Sequence, residues 1–150
     1  MSYTKNLFHI IFRTKNSKYT IPESSEKELY NYIGGIVKNK KSFLIEIGGI
    51  QNHIHLFVDL HPSISLSDFV KDIKVSTSIF FKQNKDKFPN FEGWGEGFGG
   101  FSYSFSHKDN VIKYIKNQKE HHKAISFENE YRSFLEKFDI NINEQYFLKD

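Results

Sequence analysis

The sequence contains no cysteine, and only two of its 21 basic residues are arginines. Without cysteine there are no disulfide bonds, thiolate metal sites or cysteine nucleophiles, and the composition suits a reducing cytoplasm. Lysine makes looser phosphate contacts than arginine does. A net charge of +3 is too small to indicate nucleic-acid binding by itself. Composition alone therefore leaves the function open.

Long apolar runs are also missing. The N-terminal segment MSYTKNLFHIIFRTK has a short apolar stretch without a small-residue cleavage site, so it predicts a first strand rather than a signal peptide. No stretch approaches the length of a membrane span. From these absences we expect a cytoplasmic protein that does not associate with a membrane.

Aromatic residues, in contrast, are abundant. The 150 residues are 38% hydrophobic and include 16 Phe and 8 Tyr. Such side chains bury enough surface to offset the entropy of a folded chain. Length and composition therefore predict one folded domain over residues 1–150.

Hydrophobic periodicity predicts the order β-α-β-β-α-β, followed by further helices. This order is typical of the α+β class with a ferredoxin-like antiparallel sheet and helices on one face. Gly48 and Gly49 are predicted to form a bulge or turn, and residues 89–100 a flexible glycine-rich connector. The predicted strands are 6–13, 42–50, 53–60 and 101–107, and the predicted helices are 26–39, 66–80, 109–124 and 126–140.

Two histidines alternate within the third predicted strand. Side chains two apart point to the same face of a strand, so His53 and His55 would project together, within reach of one cation. Ile54, Leu56 and Val58 would occupy the other face. A histidine–hydrophobe–histidine pattern is weak evidence alone, because packed or surface histidines are more common than ligands.

Only the helix that carries VIKYIKNQKEHH can complete such a site. Gln118 interrupts its apolar stripe, and Tyr114 lies one turn earlier. A tyrosine can attack a phosphodiester when the charge on the phosphate is stabilised, and a divalent metal supplies that stabilisation. Two imidazoles and an amide oxygen beside phosphate suit magnesium or manganese, although imidazoles alone prefer zinc, nickel or copper. The alternative is an edge tyrosine beside a solvated glutamine.

Together these segments resemble the single-tyrosine HUH transposases, the TnpA type of the smallest bacterial insertion sequences. HIH matches the histidine–hydrophobe–histidine motif, and YIKNQ matches the tyrosine-helix motif with its glutamine four residues on. FHIIFRTKN, LIEIGGIQNHIHLFVDL, DFVKDIKVSTSIFF and GWGEGFGGFSYS follow in the family's order. The resemblance covers roughly residues 5 to 137. One departure is Asn52, where many relatives carry an acid, which affects the orientation of a ligand histidine.

The resemblance implies that His53, His55 and Gln118 bind magnesium or manganese. Tyr114 would attack the scissile phosphate of single-stranded DNA, giving a 5′-phosphotyrosine and a free 3′-hydroxyl. Attack by the 3′-hydroxyl of another strand would rejoin the DNA. The implied substrates are hairpins near the ends of the element, and the implied assembly is a homodimer with merged sheets, in which the tyrosine helix can serve the partner's site.

Further residues have less specific interpretations. Tyr103 is the second candidate nucleophile, and His121 and His122 are interpreted as solvated residues at a helix end. Trp94 and Phe98 either stack on unpaired bases or pack. The segment GEGFGG matches GxGxxG, but a strand-like segment follows it, which argues against a dinucleotide site. The candidate DNA contacts are Arg13, Lys15, Lys71 and Lys74.

Two alternatives to an active transposase remain. The first is a catalytically silent or domesticated relative that binds hairpin DNA as a regulator or structural module. The second is an unrelated ferredoxin-like RNA-binding protein, which aromatic-rich strands permit but which leaves the YIKNQ helix unexplained. The presence of His53, His55, Tyr114 and Gln118 together favours the enzyme, since a binding module has no need of all four.

Overall fold

A computed structural model describes residues 2–150 of the chain. It contains a four-stranded sheet and five α-helices, with short 3-10 turns between them. None of the described helices is both long and apolar enough to span a membrane. The strands are β1 (Leu7–Arg13), β2 (Phe43–Ile50), β3 (His53–Asp59) and β4 (Gly99–Ser102), and the helices are α1 (Glu26–Asn39), α2 (Leu66–Gln83), α3 (Lys108–Lys116), α4 (Gln118–His121) and α5 (Phe127–Lys137).

The strands lie in the order β2-β3-β1-β4, with every neighbouring pair antiparallel. This order places β3 and β1 in the centre of the sheet and the other two strands at its edges. Central β3 pairs with β1 from Leu7 opposite Asp59 to Arg13 opposite His53. The predicted α+β, ferredoxin-like fold is confirmed.

Helices α1 and α2 cover one face of the sheet, as predicted. The period of two along β3 sends Ile54, Leu56 and Val58 to this face. There they pack with residues of both helices, including Leu29 and Phe69, into the largest apolar cluster of the described chain. The serine at position 65 caps α2, because its hydroxyl accepts a hydrogen bond from the Asp68 N–H at 3.1 Å.

The C-terminal helices α3 and α5 cover the opposite face. Phe57 of β3 packs with Val111 and Ile115 of α3. Phe101 of β4 packs with Phe134 of α5, the two rings lying 5.3 Å apart between centroids. The strand histidines point to this face as well, so the sheet separates the main core from the face that carries the polar site.

Three details differ from the sequence prediction. The two glycines of β2 are neither a turn nor a bulge: Gly48 pairs with His55, and the turn follows at 51–52. A Cβ on Gly48 would lie 2.6 Å from the Ile115 carbonyl oxygen, so glycine here permits the close approach of α3.

The fourth strand is Gly99–Ser102 rather than 101–107, because its pairing with β1 begins at Gly99 and the chain turns into a 3-10 helix at Phe105.

The predicted helix over 109–124 is divided. Helix α3 ends at Lys116 and α4 begins at Gln118, with Asn117 between them at φ −93° and ψ 15°. Asparagine has a low helix propensity and tolerates this bridging conformation. Despite the break, Tyr114 and Gln118 contact the same carboxylate.

The C-terminal tail, which sequence reasoning left unassigned, folds back onto the end of β1. The Arg13 guanidinium donates to the Asp150 carboxylate at 2.9 Å and to the Lys149 carbonyl oxygen at 3.0 Å. Both side chains of the ion pair are nearly buried, with 5% and 9% of their surfaces exposed. The tail therefore covers Arg13.

Candidate active site and metal centre

The centre of the site is a group of buried polar side chains on the sheet face that α3 and α5 cover. His53 and His55 are fully buried, and Gln118 and Glu130 are 1% and 2% exposed. Burial of so many polar atoms carries a large desolvation cost unless they bind one another or a ligand. The two histidines lie on the same face of β3, as the alternation predicts.

Glu130 of α5 joins the strand histidines to the tyrosine. Its Oε1 lies 3.2 Å from His55 Nε2 and 3.4 Å from His53 Nε2. Its Oε2 accepts a short hydrogen bond from the Tyr114 hydroxyl and another from the Gln118 amide nitrogen at 3.0 Å. One carboxylate thus contacts all three predicted metal ligands and the predicted nucleophile. In this structure they all belong to one chain.

Gln118 and His122 complete the group. The Gln118 Oε1 lies 3.0 Å from both His53 Nε2 and His122 Nε2. The latter nitrogen also lies 3.1 Å from Glu130 Oε1. His122 is therefore part of the site, which contradicts its interpretation as a solvated residue; its side chain is 4% exposed.

The outer nitrogen of each of the three histidines has a hydrogen-bond partner. His53 Nδ1 lies 2.7 Å from Asn52 Oδ1, and His122 Nδ1 lies 2.8 Å from the Ile125 carbonyl oxygen. His55 Nδ1 lies 2.7 Å from Nε2 of His9. These partners could hold the Nδ1 protons while each Nε2 lone pair binds a metal, as in histidines that bind metals. Asn52 therefore holds the orientation of the His53 ring.

Burial sets the protonation of these groups. Burial lowers the pKa of His53 to about 4, so its imidazole is neutral at pH 7. Burial and the neighbouring His55 hold the pKa of His9 well below its usual value. Burial opposes ionisation of Glu130, but hydrogen bonds from the imidazoles outweigh it and hold the pKa of this carboxyl far below its usual range. The site therefore holds an ionised carboxylate beside the His53 imidazole, which is neutral at pH 7.

The nucleophile candidate is protonated in this environment. Burial, together with the negative charge of Glu130, raises the pKa of Tyr114 above its usual value. An open cleft of about 360 Å³ reaches this side chain, with Tyr103, His107 and Lys137 in its lining. Tyr103 is half-buried in the cleft wall, and within residues 2–150 its hydroxyl makes no hydrogen bond to the histidines.

The candidate DNA contacts are not gathered at this site. Arg13 is engaged by the tail, and Lys74 donates to the carbonyl oxygens of Gly95 and Gly97 at 2.9 and 2.6 Å. Lys15 and Lys71 are exposed. Both Lys71 and Lys74 belong to α2, on the sheet face opposite Tyr114.

The two aromatic candidates for base stacking are half-buried and pack against the main core. The Trp94 indole nitrogen donates to Thr77 Oγ1 at 2.9 Å, and its ring lies against Phe12 at 4.8 Å between centroids. Phe98 packs against the same cluster.

Sequence reasoning missed Glu130 and His9, although each had a signal. Glu130 lies three residues after Phe127 and four before Phe134, on the buried face of an amphipathic helix where an apolar residue is usual. His9 lies in an apolar strand. Its side chain is on the same face as that of Ile11, and the residue pairs with Phe57 of β3. A carboxylate and an imidazole at core positions are the kind of exception that marks a site.

Solved structures with this fold include two transposases. One is a Deinococcus radiodurans R1 protein assigned as a transposase, 22% identical, with a TM-score of 0.60 over 79% of this chain and 95% of that one. The other is the REP-associated tyrosine transposase bound to a REP hairpin, 14% identical, with a TM-score of 0.60 over 83% and 73% of the two chains. At these identities the likeness concerns the fold.

No curated protein matches the sequence. The sequence profile of the family described as "Transposase IS200 like", however, matches residues 2–118. The match spans the sheet, both helices of the main core, and the segment from Tyr114 to Gln118. The chain belongs to the IS200-like transposase family.

Proposed function

We propose that this protein cuts and rejoins single-stranded DNA at hairpin-marked element ends through a 5′-phosphotyrosine intermediate. The main support for the proposal is that the Tyr114 hydroxyl, the two strand histidines and Gln118 all contact one buried carboxylate, that of Glu130. Family membership and the REP hairpin in the related structure support DNA hairpins as substrates. We place the protein in the cytoplasm, where such DNA is found.

In this reaction the Tyr114 oxygen attacks the scissile phosphorus, and the bond between phosphorus and the 3′ oxygen breaks. The phenol proton leaves for solvent through the open cleft, and the leaving 3′ oxygen takes up a proton. The reverse attack by a 3′-hydroxyl of another strand restores the phenol, so that the energy of the phosphodiester bond is conserved. Neither hydrolysis nor ATP is required.

A divalent cation, magnesium or manganese, is part of the proposal. The donor chemistry fits: His53, His55 and Gln118 direct two imidazole nitrogens and an amide oxygen into the site. The bound cation would neutralise charge on the phosphate oxygens and stabilise the leaving 3′ oxygen. Glu130, to which both Gln118 and the Tyr114 hydroxyl donate hydrogen bonds, sets the position of Tyr114.

The decisive experiment is a covalent-capture assay. Protein is incubated with a single-stranded hairpin in Mg²⁺ or Mn²⁺ and then denatured, and a covalent protein–DNA band is expected. Tyr114→Phe should abolish the band, the matched variant Tyr103→Phe should retain it, and the corresponding duplex should give none. An adduct formed by Tyr114→Phe would refute the assignment of the nucleophile.

A catalytically silent hairpin-binding protein is the second candidate. It is favoured by the engaged state of Tyr114, whose hydroxyl is bonded to Glu130 and whose pKa is raised. This alternative predicts hairpin binding that does not depend on metal and gives no adduct with any metal. The capture assay, run beside a gel-shift assay on the same hairpin, separates the two.

We also propose that exposed lysines contact DNA phosphates and that the protein forms a homodimer. Replacement of Lys15 or Lys71 by alanine should weaken hairpin binding. Each replacement should also reduce the slope of log affinity against log salt concentration by about 1 per phosphate contact. Lys85→Ala is the control, because Lys85 is an exposed lysine that is not among the candidate contacts. Arg13 and Lys74 reach phosphate only after their internal bonds open.

The proposed homodimer would form through a sheet edge. Strands β2 and β4 lie at the two edges of the sheet and could pair with a strand of a second chain. Light scattering tests this, since a dimer has twice the mass of one chain.

A further inference from the structure

We propose that Glu130 and His122 complete the divalent cation site that the two strand histidines and Gln118 begin, and that the cation holds α5 over Tyr114. This inference deepens the metal site of the proposed function and rests on it. Three side chains were expected to bind the cation, with the other positions open for substrate. The inference raises the number of protein ligands to five. It also makes α5, which lies beyond the matched residues 2–118, part of the centre.

Atoms that can bind a metal converge between β3 and α5. The three Nε2 atoms face Glu130 Oε1, and Gln118 Oε1 faces two of the same nitrogens. The Nδ1 atom of each imidazole has a partner outside the site, so each ring can carry its proton there and present an Nε2 lone pair to a metal. A divalent cation among these donors would replace the hydrogen bonds that the imidazoles make to Glu130.

The distances between these donor atoms suit one bound ion. Glu130 Oε1 lies 3.4, 3.2 and 3.1 Å from the Nε2 atoms of His53, His55 and His122. Donors bonded at about 2.1 Å to one ion lie about 3.0 Å apart in octahedral and about 3.4 Å apart in tetrahedral geometry. The donor atoms of these four residues all lie within 4.8 Å of one another. Small adjustments of side chains therefore suffice for one ion to contact them.

The donor set indicates the class of cation. Magnesium prefers oxygen ligands and retains its water, whereas imidazoles favour transition metals. Three imidazoles with one carboxylate and one amide oxygen therefore select manganese over magnesium. They also give cobalt and zinc higher affinity than manganese. With five protein donors, an octahedral ion retains one position for a phosphate oxygen.

The effect on α5 follows from where the ligands lie. His53 and His55 are fixed in the centre of the sheet, and Glu130 is on α5. Apolar contacts also hold this helix, with the Phe127 ring stacked on His53 at 4.4 Å between centroids. A cation bonded to both elements adds to these contacts. Since Glu130 also accepts the Tyr114 hydroxyl, the ion would fix the tyrosine through the same carboxylate.

The test measures metal binding without DNA. Metal-stripped protein is titrated with Mn²⁺ and with Mg²⁺ by calorimetry, and Co²⁺ binding is followed by its visible ligand-field spectrum. One Mn²⁺ per chain is expected, bound more tightly than Mg²⁺. Glu130→Gln should weaken Mn²⁺ binding by about 100-fold or more, because even loss of an outer partner of a ligand costs 10- to 100-fold. It should also change the Co²⁺ spectrum.

Matched controls separate a ligand from a general change of charge or fold. Glu128→Gln removes an exposed carboxylate from the same helix, and His61→Gln removes a half-buried imidazole that bonds to Ser63 and is not part of the site; both should bind Mn²⁺ as the unaltered protein does. His122→Gln should weaken binding and shift the Co²⁺ spectrum as well. Circular dichroism of each metal-free variant shows whether it is folded.

Hydrogen exchange reports on α5. Mn²⁺ should slow amide exchange in α5 of the unaltered protein and of Glu128→Gln, and have little effect in folded Glu130→Gln. Equal or tighter Mn²⁺ binding by Glu130→Gln, with an unchanged Co²⁺ spectrum, would overturn the inference. That result would leave the transferase intact, because covalent capture by Tyr114 tests it separately. Conversely, Glu130-dependent metal binding without any adduct would support the centre and contradict the transferase.

Discussion

The Tyr114 hydroxyl donates a hydrogen bond to Glu130, sixteen residues later in the chain, and Glu130 also contacts both histidines of β3. The candidate nucleophile is therefore held by the same carboxylate that lies against the candidate metal ligands. All of these contacts lie within one chain, so in this conformation the Tyr114 hydroxyl lies beside the histidines of its own chain. It also ties the position of Tyr114 to the packing of α5.

Removal of the Tyr114 hydroxyl should have a moderate effect on stability. Glu130 keeps the Gln118 amide and the imidazoles as partners in Tyr114→Phe, so we expect a loss of about 1.5 to 3 kcal/mol in the free energy of unfolding, the usual range for a hydrogen bond to a charged group. Urea denaturation measures it. Tyr103→Phe should be neutral, since no hydrogen bond of its hydroxyl is found in residues 2–150. A Tyr114→Phe protein destabilised by several kcal/mol would indicate that the hydroxyl is mainly structural.

The second prediction concerns acid stability of the metal-free protein. The folded pKa of His53 is about 4, below the usual 6.5, so protonation favours the unfolded chain. This contribution is fully present above pH 6.5 and is lost as the pH falls from 6.5 to 4. It amounts to at most about 3 kcal/mol. Urea denaturation after removal of metal by EDTA, repeated through this range, should show the decline.

A substitution isolates the contribution of His53 to that decline. Replacement of His53 by Gln keeps a polar side chain of similar length but removes the titration, so the curve between pH 6.5 and 4 should become flatter. His9, whose pKa burial also lowers, keeps part of the slope. A pH profile of the free energy of unfolding that is the same for both proteins would contradict the assignment.

Asn52 provides the third prediction, because it sets which nitrogen of His53 faces the site. Asn52→Ala removes the acceptor 2.7 Å from His53 Nδ1 and should weaken Mn²⁺ binding by about 10- to 100-fold. Asn52→Asp restores an acceptor and adds charge, so it should bind at least as tightly as the unaltered protein. Calorimetric titration measures both, and equal weakening by the two variants would show that the acceptor is not what matters.

Local periodicity was sufficient to predict much of this architecture. The alternation along β3 predicted that His53 and His55 share one face, and the spacing of four predicted that Tyr114 and Gln118 share another. Both are local properties of a strand and a helix. The order of the elements then predicted a ferredoxin-like antiparallel sheet, since short connections and a helical crossover leave few arrangements.

The rest of the site depends on contacts between distant parts of the chain. Glu130 reaches the histidines of β3 because α5 packs on the sheet face opposite α1 and α2, and nothing in the sequence of α5 specifies that face. His9 reaches His55 through strand pairing between β1 and β3. The engagement of Arg13 by Asp150 likewise spans 137 positions. Such partners can be suspected from polar residues at core positions, but they cannot be paired without the fold.

The last prediction tests how closely α3 must approach the sheet. A methyl group at Gly48 would lie 2.6 Å from the Ile115 carbonyl oxygen, and backbone cannot move aside as a side chain can. Gly48→Ala should therefore displace α3, with a loss of about 1 to 3 kcal/mol in the free energy of unfolding. Since Ile115 adjoins Tyr114, formation of the covalent adduct should fall by a larger factor than stability alone explains.

Gly35→Ala is the matched control for Gly48→Ala. Gly35 lies within α1, and a Cβ there meets no atom within 4 Å. Alanine is favoured over glycine by about 0.5 to 1 kcal/mol inside a helix, so this variant should be more stable and equally active. Urea denaturation and the capture assay test both variants side by side. A Gly48→Ala protein with normal stability and normal adduct formation would mean that Tyr114 does not require the close packing of α3 on β2.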